Sequence, residues 1–154
     1  FRPGAFDIVL SSFGWEFVPD MATCLRDCRA LLKPSGLLVV CTTHPLSAFE
    51  WDQREGAVLV TDYFSLPVEV WTDPVPEGHE PAVTIFHTFQ EMFELITGAG
   101  FSVERVLEPY PERLPSELSN ETGSSPYAGE YWEKTRGRML KVPFAIVYVA
   151  RCVG

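Results

Sequence analysis

A strand–helix–strand pattern in the first 43 residues constrains the fold more than any other feature of the sequence. Residues 6–12 are nearly all apolar until they reach serine, which is typical of a parallel strand buried on both faces. Asp20 is a good helix N-cap. Apolar residues then recur at helical spacing, at Met21, Cys24, Leu25, Cys28, Leu31 and Leu32. Lys33-Pro34-Ser35-Gly36 ends the helix and residues 37–43 form a second apolar run, so the pattern predicts a right-handed βαβ unit of the α/β class.

The second half of the chain adds one clear helix and two further strands. Thr88-Phe89-Gln90-Glu91 is a capping box, which predicts that a helix begins there and closes near Gly98 and Gly100. Residues 101–108 alternate apolar and polar side chains, as expected of a half-buried strand. Residues 142–153 predict the last strand, with a proline near its start.

Two long segments lack a regular pattern. Residues 44–85 are rich in aromatic side chains and contain five prolines, so we interpret them as an insertion or lid rather than as a disordered linker. Residues 109–141 are polar and form a second irregular insertion, with a short helix expected near residues 131–138.

Composition narrows the classes of function. A length of 154 residues suits one domain, and a formal net charge of −9 without a basic run argues against nucleic-acid binding. No apolar stretch approaches the roughly 18–20 residues of a membrane span. The four cysteines are interpreted as free core residues, because Cys24 and Cys28 have no second Cys/His pair nearby to complete a metal site. Free thiols favour a reducing, cytoplasmic location.

The order of these motifs resembles a known family. Phe6-Asp7-Ile8-Val9, Asp20 and the run Leu25-Arg26-Asp27-Cys28-Arg29-Ala30-Leu31-Leu32-Lys33-Pro34-Ser35-Gly36-Leu37-Leu38-Val39-Val40 are similar to the second half of class I S-adenosylmethionine-dependent methyltransferases of the bacterial small-molecule type. His44-Pro45, Gly98-Ala99-Gly100-Phe101, Glu108-Pro109 and Lys141-Val142-Pro143-Phe144 also fit. Ser35 replaces the first of two glycines in the family wording. The resemblance implies a Rossmann-like sheet of parallel strands with an antiparallel last strand.

The departures from the family concern the cofactor. The family binds S-adenosylmethionine through a Gly-rich turn after its first strand and an acidic residue after its second, and this sequence contains neither. Gly98 and Gly100 follow a helix and precede a strand, the reverse of the context that a nucleotide-binding turn needs. In the family order 3-2-1-4-5-7-6, the chain would supply strands 4 to 7. With Phe at position 1, we interpret it as a piece of a longer protein whose N-terminal, cofactor-binding half is absent.

A half-sheet leaves one strand without a neighbour. Strand 6–12 would present an apolar edge with unpaired backbone groups. We therefore expect the missing N-terminal half, or a second chain in a homodimer, to cover it.

Candidate site residues follow from where ligands bind in such sheets, beyond the carboxyl ends of the strands. The resemblance assigns Ser11, Ser12, Phe13 and Phe17 to the cofactor side. It places Trp15 and Glu16 near the reacting methyl group, where Glu16 would orient the substrate or act as a base.

His44 ends the second predicted strand, and an imidazole there is suited to act as a general base, although a lone histidine is more often structural. Tyr63, Phe64 and Trp71 in the insertion are candidates to wall a substrate pocket, and the alternative is that they cover the core. His87, just before the capped helix, would either cap it or reach the substrate.

The sequence leaves two main functions open. The first is the substrate-side part of a small-molecule methyltransferase that carries out O- or N-methylation by in-line transfer in the complete protein, with this chain inactive alone. The second is a truncated, non-catalytic methyltransferase fold that serves as a pairing module. A hydrolase or reductase is disfavoured, because neither a Gly-x-Ser-x-Gly elbow nor a Gly-rich turn after a strand is present.

Overall fold

The structure is a computed structural model that describes residues 1–70, 83–111 and 129–153. Its strands are β1 (Phe6–Ser12), β2 (Leu32–Thr43), β3 (Glu50–Asp52), β4 (Ala57–Leu59), β5 (Val68–Val70), β6 (Val83–Ile85), β7 (Phe101–Leu107) and β8 (Ala145–Cys152). Its α-helices are α1 (Met21–Leu31), α2 (Phe89–Gly98) and α3 (Gly129–Met139). Two short 3-10 helices lie at Trp15–Phe17 and Pro45–Ala48.

The main sheet has four strands in the order β1-β2-β8-β7. β1 and β2 are parallel, and β8 runs antiparallel to both of its neighbours, β2 and β7. This is the order implied for the last four strands of the family sheet, so the predicted mixed α/β arrangement is confirmed. β1, β2 and β7 point the same way, and their carboxyl ends therefore meet at one edge of the sheet.

The predicted βαβ unit is present, with a shifted boundary. The Asp20 side chain accepts a hydrogen bond from the Thr23 amide at 2.9 Å and so caps α1. The helix ends at Leu31 and β2 begins at once, five residues before the expected start at position 37. Phe6 pairs with Leu32 while Ile8 pairs with Leu37, so residues 33–36 bulge out of the ladder.

The hydrophobic core covers one face of the sheet. α1 and α2 pack there, and the side chains with the deepest burial are Leu25, Leu38, Val40, Ile96, Ile146 and Tyr148. On the opposite face, Ile8 and Leu10 are 56% and 68% exposed. The expectation that β1 is buried on both faces is therefore wrong for the described residues, because no described element covers the face that carries Ile8 and Leu10. β1 is also the edge strand of the sheet.

The remaining predictions hold in part. The capping box of Thr88 and Glu91 is present at the start of α2, and α3 contains the short helix expected near residues 131–138. The described parts of the segment 44–85, residues 44–70 and 83–85, are more regular than predicted, because β3 pairs with β4 and β5 pairs with β6. β8 begins only at Ala145, after Pro143 rather than through it. No helix among the described residues has the length and apolarity needed to cross a membrane.

Candidate functional site

A cavity of about 440 Å³ opens at the carboxyl edge of the sheet. The turn and 3-10 helix after β1, the end of β2 with the 3-10 helix that follows it, the β5–β6 pair and the residue before β8 contribute to its wall. The described residues that line it are Phe13, Glu16, Phe17, Thr43, Ser47, Glu69, Thr84, Phe86 and Phe144. Its volume is within the range of small-molecule sites, and its place beyond the strand ends is where ligands bind in open α/β sheets.

Glu16 is the buried charge of this cavity. The residue is only 3% exposed, and the Thr42 hydroxyl donates a hydrogen bond of 3.2 Å to its Oε2. The carboxylate also acts on its surroundings: burial, and then the charge of Glu16, raise the pKa of the neighbouring Cys41 thiol. A buried carboxylate ordinarily requires pairing or hydrogen bonds, and among the described residues Glu16 has this one hydroxyl and no cation.

Phenylalanine rings supply the apolar wall. Phe13 and Phe144 lie with ring centroids 5.9 Å apart, and Phe13 and Phe17 keep 40% and 44% of their surface exposed. Phe13 has a φ of +50°, a left-handed conformation that is unfavourable for a bulky residue, while its amide donates to the Cys41 carbonyl at 2.9 Å. Strained backbone of this kind clusters at ligand sites, and here it sets the ring at the mouth of the cavity.

His44 is held by the protein on both ring nitrogens. Its Nδ1 accepts a hydrogen bond from the Leu46 amide at 3.1 Å, which caps the 3-10 helix that begins at Pro45. Because Nδ1 is an acceptor, Nε2 carries the proton and faces Glu108 Oε1 at 3.1 Å. The residue is 6% exposed, and burial lowers the pKa of His44 although Glu108 opposes that shift. The predicted base therefore has no free lone pair in this arrangement and is absent from the lining of the 440 Å³ cavity.

Of the other residues predicted near the cofactor or the reacting methyl group, some line the cavity and some do not. Phe13, Glu16 and Phe17 line the cavity together. Ser11 and Ser12 end β1 next to it but are not among the lining residues, and Trp15 is 5% exposed within the hydrophobic core. The buried position gives Trp15 a packing role, because its ring is surrounded by core side chains rather than by the cavity.

Two of the residues predicted to wall the substrate pocket, Tyr63 and Phe64, are not part of the wall of the 440 Å³ cavity. The Tyr63 hydroxyl accepts a hydrogen bond from the Phe89 amide at 3.3 Å and so caps α2. Phe64 is 92% exposed. Trp71 lies outside the described residues. His87 lines a cavity of about 570 Å³ between α1 and α2, where burial lowers its pKa against an opposing effect of Glu91.

The larger cavity is not the better candidate. It lies between two helices, and Arg26, Glu91 and Glu94 contribute to its wall, whereas no residue at the end of a main-sheet strand does. The 440 Å³ cavity is smaller but joins the ends of β1 and β2, where the topology brings functional residues together. Nowhere in the described parts of the chain do three or more His, Cys, Asp or Glu side chains converge in a way that could hold a metal ion.

Sequence reasoning missed six lining residues: Thr43, Ser47, Glu69, Thr84, Phe86 and Phe144. Phe144 and Phe86 had a usable signal, since one stands in the quoted motif before the last strand and the other directly precedes His87. Glu69 and Thr84 had none, because they reach the cavity only through the pairing of β5 with β6.

Comparison with known proteins agrees with this geometry. Residues 1–40 match a family model described as a methyltransferase domain. A comparison with curated proteins gives no match. Over 99% of the chain, the structure is similar to an S-adenosylmethionine dependent methyltransferase from Listeria monocytogenes, with a TM-score of 0.68 and 18% identity. A second S-adenosylmethionine dependent methyltransferase, from Mesorhizobium loti, matches 97% of the chain with a TM-score of 0.64 and 22% identity.

A third solved structure, with a TM-score of 0.54 and 16% identity over 99% of the chain, is geranyl diphosphate C-methyltransferase from Streptomyces coelicolor A3(2). That protein holds Mg²⁺, geranyl diphosphate and S-adenosyl-L-homocysteine. The chain spans 64%, 63% and 48% of the length of these three proteins, respectively. The family match and the sheet order confirm the resemblance: the chain has the mixed-sheet α/β fold of the class I S-adenosylmethionine-dependent methyltransferases.

Proposed function

We propose that the chain is the substrate-side part of an S-adenosylmethionine-dependent methyltransferase that methylates a small-molecule metabolite on oxygen or nitrogen. The observation that carries the proposal is the 440 Å³ cavity at the carboxyl edge, with one buried carboxylate and four phenylalanines in its wall. A cavity of this size suits a metabolite rather than a protein or a duplex, and the net charge of −9 agrees.

The described residues fit the reactive end of the cofactor and not the whole of it. Bound S-adenosylmethionine supplies an activated methyl group, and the aromatic rings of the wall are compatible with the positive charge next to that group. Ser11, Ser12, Phe13 and Phe17 would hold that end. The Gly-rich turn and the ribose-binding acid are absent from the sequence, so we expect the rest of the complete protein to provide them.

The residues of the chain would act by positioning, exclusion of water and proton transfer. The phenylalanines would exclude water from the reacting atoms, and the wall of the cavity would orient the acceptor for in-line transfer. Glu16 is the group placed to orient the acceptor or take its proton, because its carboxylate borders the cavity. His44 contributes by holding the loop after β2 and orienting Glu108, unless it releases one of its two hydrogen bonds.

The second candidate function is a non-catalytic pairing module. The exposed side chains of Ile8 and Leu10 and the free edge of β1 favour it, because a bare apolar edge is suited to contact another chain. The same surface is also expected in the enzyme, where the N-terminal half or a second copy would cover it. Light scattering tests whether the edge of β1 needs a covering partner. We expect this chain alone to form an oligomer or to be unstable. A stable monomer in which β1 is protected from hydrogen exchange would contradict that expectation.

A methyl-transfer experiment tests the proposed function. The complete protein is incubated with a metabolite extract and S-adenosylmethionine labelled in the methyl group, and label is followed into the small-molecule fraction. We expect transfer that falls by about 10²–10⁴-fold in Glu16→Gln if the carboxylate takes a proton. Glu50→Gln, which changes an exposed glutamate on β3, is the matched control and should retain activity. Absence of label from every small-molecule fraction would instead support the pairing module.

The chain alone provides a further check. We expect it not to bind S-adenosylmethionine tightly and not to transfer a methyl group, because the residues that bind most of the cofactor are absent from its sequence. Calorimetry that gives a low-micromolar dissociation constant with this chain would overturn that expectation.

A further inference from the structure

We propose that the 440 Å³ cavity binds its acceptor as a cationic amine, which narrows the reaction to N-methylation. This inference rests on the proposed function. The first observation is the charge of the cavity wall: Glu16 and Glu69 are its ionisable described residues, and no Lys, Arg or His stands among the other seven. The wall therefore carries two carboxylates, and the buried one, Glu16, has no counter-charge among the described residues unless the acceptor is a cation.

Because Glu16 is buried, its carboxylate favours the binding of a cation. Glu16 is only 3% exposed, and its polar contact among the described residues is the single hydroxyl of Thr42 on Oε2. A buried carboxylate is costly without a partner of opposite charge or several hydrogen bonds. In the described part of the chain no cation fills this place, so an ammonium group in the cavity would supply the missing partner.

The aromatic walls point to the same ligand class. Phe13, Phe17, Phe86 and Phe144 line the cavity with the carboxylates. Ammonium groups with alkyl substituents bind well between aromatic faces and an acid, because the ring face is electron-rich and the alkyl groups are apolar. A phosphorylated metabolite is disfavoured, because its negative charge would face the carboxylates of Glu16 and Glu69.

Glu16 also gives the bound amine a route to react. An ammonium group has no lone pair, so one N–H bond must break first, and the proton forms an O–H bond on the Glu16 carboxylate. The nitrogen lone pair then forms the bond to the methyl carbon. The electron pair of the broken carbon–sulfur bond stays on the sulfur of the donor, which becomes a neutral thioether. The positive charge moves from sulfur to nitrogen, so charge and atoms balance.

The experiment compares two ligands that differ only in charge. Choline and its uncharged carbon isostere, 3,3-dimethylbutan-1-ol, are titrated into the protein labelled with ¹³C at phenylalanine rings, in the absence of any methyl donor. We expect the ring signals of the cavity phenylalanines to shift with choline at a dissociation constant at least fivefold lower than with the isostere. Glu16→Gln should bring the ratio of the two constants close to one, and Glu50→Gln should leave it unchanged.

Equal binding of the two ligands, or an unchanged ratio in Glu16→Gln, would overturn the proposal. If Glu16→Gln does not fold, Glu69→Gln on the exposed strand β5 takes its place in the experiment. We then expect the ratio of the two dissociation constants to move toward one, but less far than is expected for Glu16→Gln. Displacement of choline by S-adenosylmethionine in a mutually exclusive manner would assign the cavity to the donor and also overturn the proposal. Because no methyl transfer is measured, failure here leaves the proposed methyltransferase function standing, and the labelled-methyl experiment judges that function separately.

Discussion

Substitutions of His44 test whether this residue stabilises a loop or transfers a proton in catalysis. In the structure its Nδ1 accepts from the Leu46 amide and its Nε2 donates to Glu108, both at 3.1 Å. His44→Ala removes an N-cap, which costs about 0.5–2 kcal/mol, and a contact with a half-exposed carboxylate, which adds about 0.5–1 kcal/mol. We expect a total loss of about 1–3 kcal/mol in the free energy of unfolding.

Two conservative variants separate the two contacts. His44→Asn places an amide oxygen near the position of Nδ1 and keeps the cap, whereas His44→Gln places an amide nitrogen near Nε2 and keeps the contact with Glu108. Because the cap is internal and the carboxylate is 54% exposed on its side chain, we expect His44→Asn to be the milder of the two. Urea denaturation at pH 7.5 followed by circular dichroism measures the difference.

Activity of the complete protein decides the catalytic question. If His44 holds the loop, turnover in His44→Asn and His44→Gln should fall less than about tenfold, since a general base contributes about 10²–10⁴ in rate. A loss of more than a hundredfold in both variants while each stays folded would restore the general-base role predicted from the sequence. An equal loss of stability in His44→Asn and His44→Ala would refute the capping argument.

Three substitutions and a change of pH test the fold. Ser35 has a φ of +61°, so Ser35→Gly should raise the free energy of unfolding by about 0.5–1 kcal/mol. Gly36→Ala should lower it, because a Cβ there would lie 3.0 Å from a side-chain carbon of Leu32 and from a backbone oxygen, and thermal denaturation measures both variants. Tyr148→Phe should stabilise the chain by about 1 kcal/mol, since its buried hydroxyl has no partner among the described residues, and a destabilised variant would show that it has one. Burial lowers the pKa of His44 and His87, so the unfolded chain takes up their protons before the folded chain does as the pH falls below about 6.5. The contribution of these residues to the free energy of unfolding should therefore be full above that pH and decline in acid. Denaturation at pH 7.5 and at pH 5.5 measures this decline, which should be smaller in His44→Asn.

Local patterns in the sequence determined the elements and their order. The Asp20 cap, the Thr88–Glu91 capping box and the apolar periods predict α1, α2, β1, β2 and β7, because each signal depends on residues a few positions apart. The order of motifs also predicts the sheet order β1-β2-β8-β7 through the resemblance to class I methyltransferases. The replacement of glycine by Ser35 was visible as well, although only the structure shows the left-handed backbone that makes it unfavourable.

Part of the candidate site was also predictable. The turn after β1 lies at the carboxyl edge of a sheet of this topology, and the family resemblance named Phe13, Glu16 and Phe17 there, together with Ser11, Ser12 and Trp15, which do not line the cavity. Their burial and contacts could not, because the sequence does not show that Thr42 donates to Glu16 or that Phe144 packs near Phe13.

Tertiary structure decided which distant residues complete the site. His44 meets a glutamate 64 residues further along the chain, and this contact occupies the nitrogen that a general base would need. Glu69 and Thr84 reach the cavity only because β5 pairs with β6, a register that neither short strand specifies by itself. The exposed faces of Ile8 and Leu10 have the same origin: an apolar strand predicts burial, but which face is covered depends on where α1 and α2 pack.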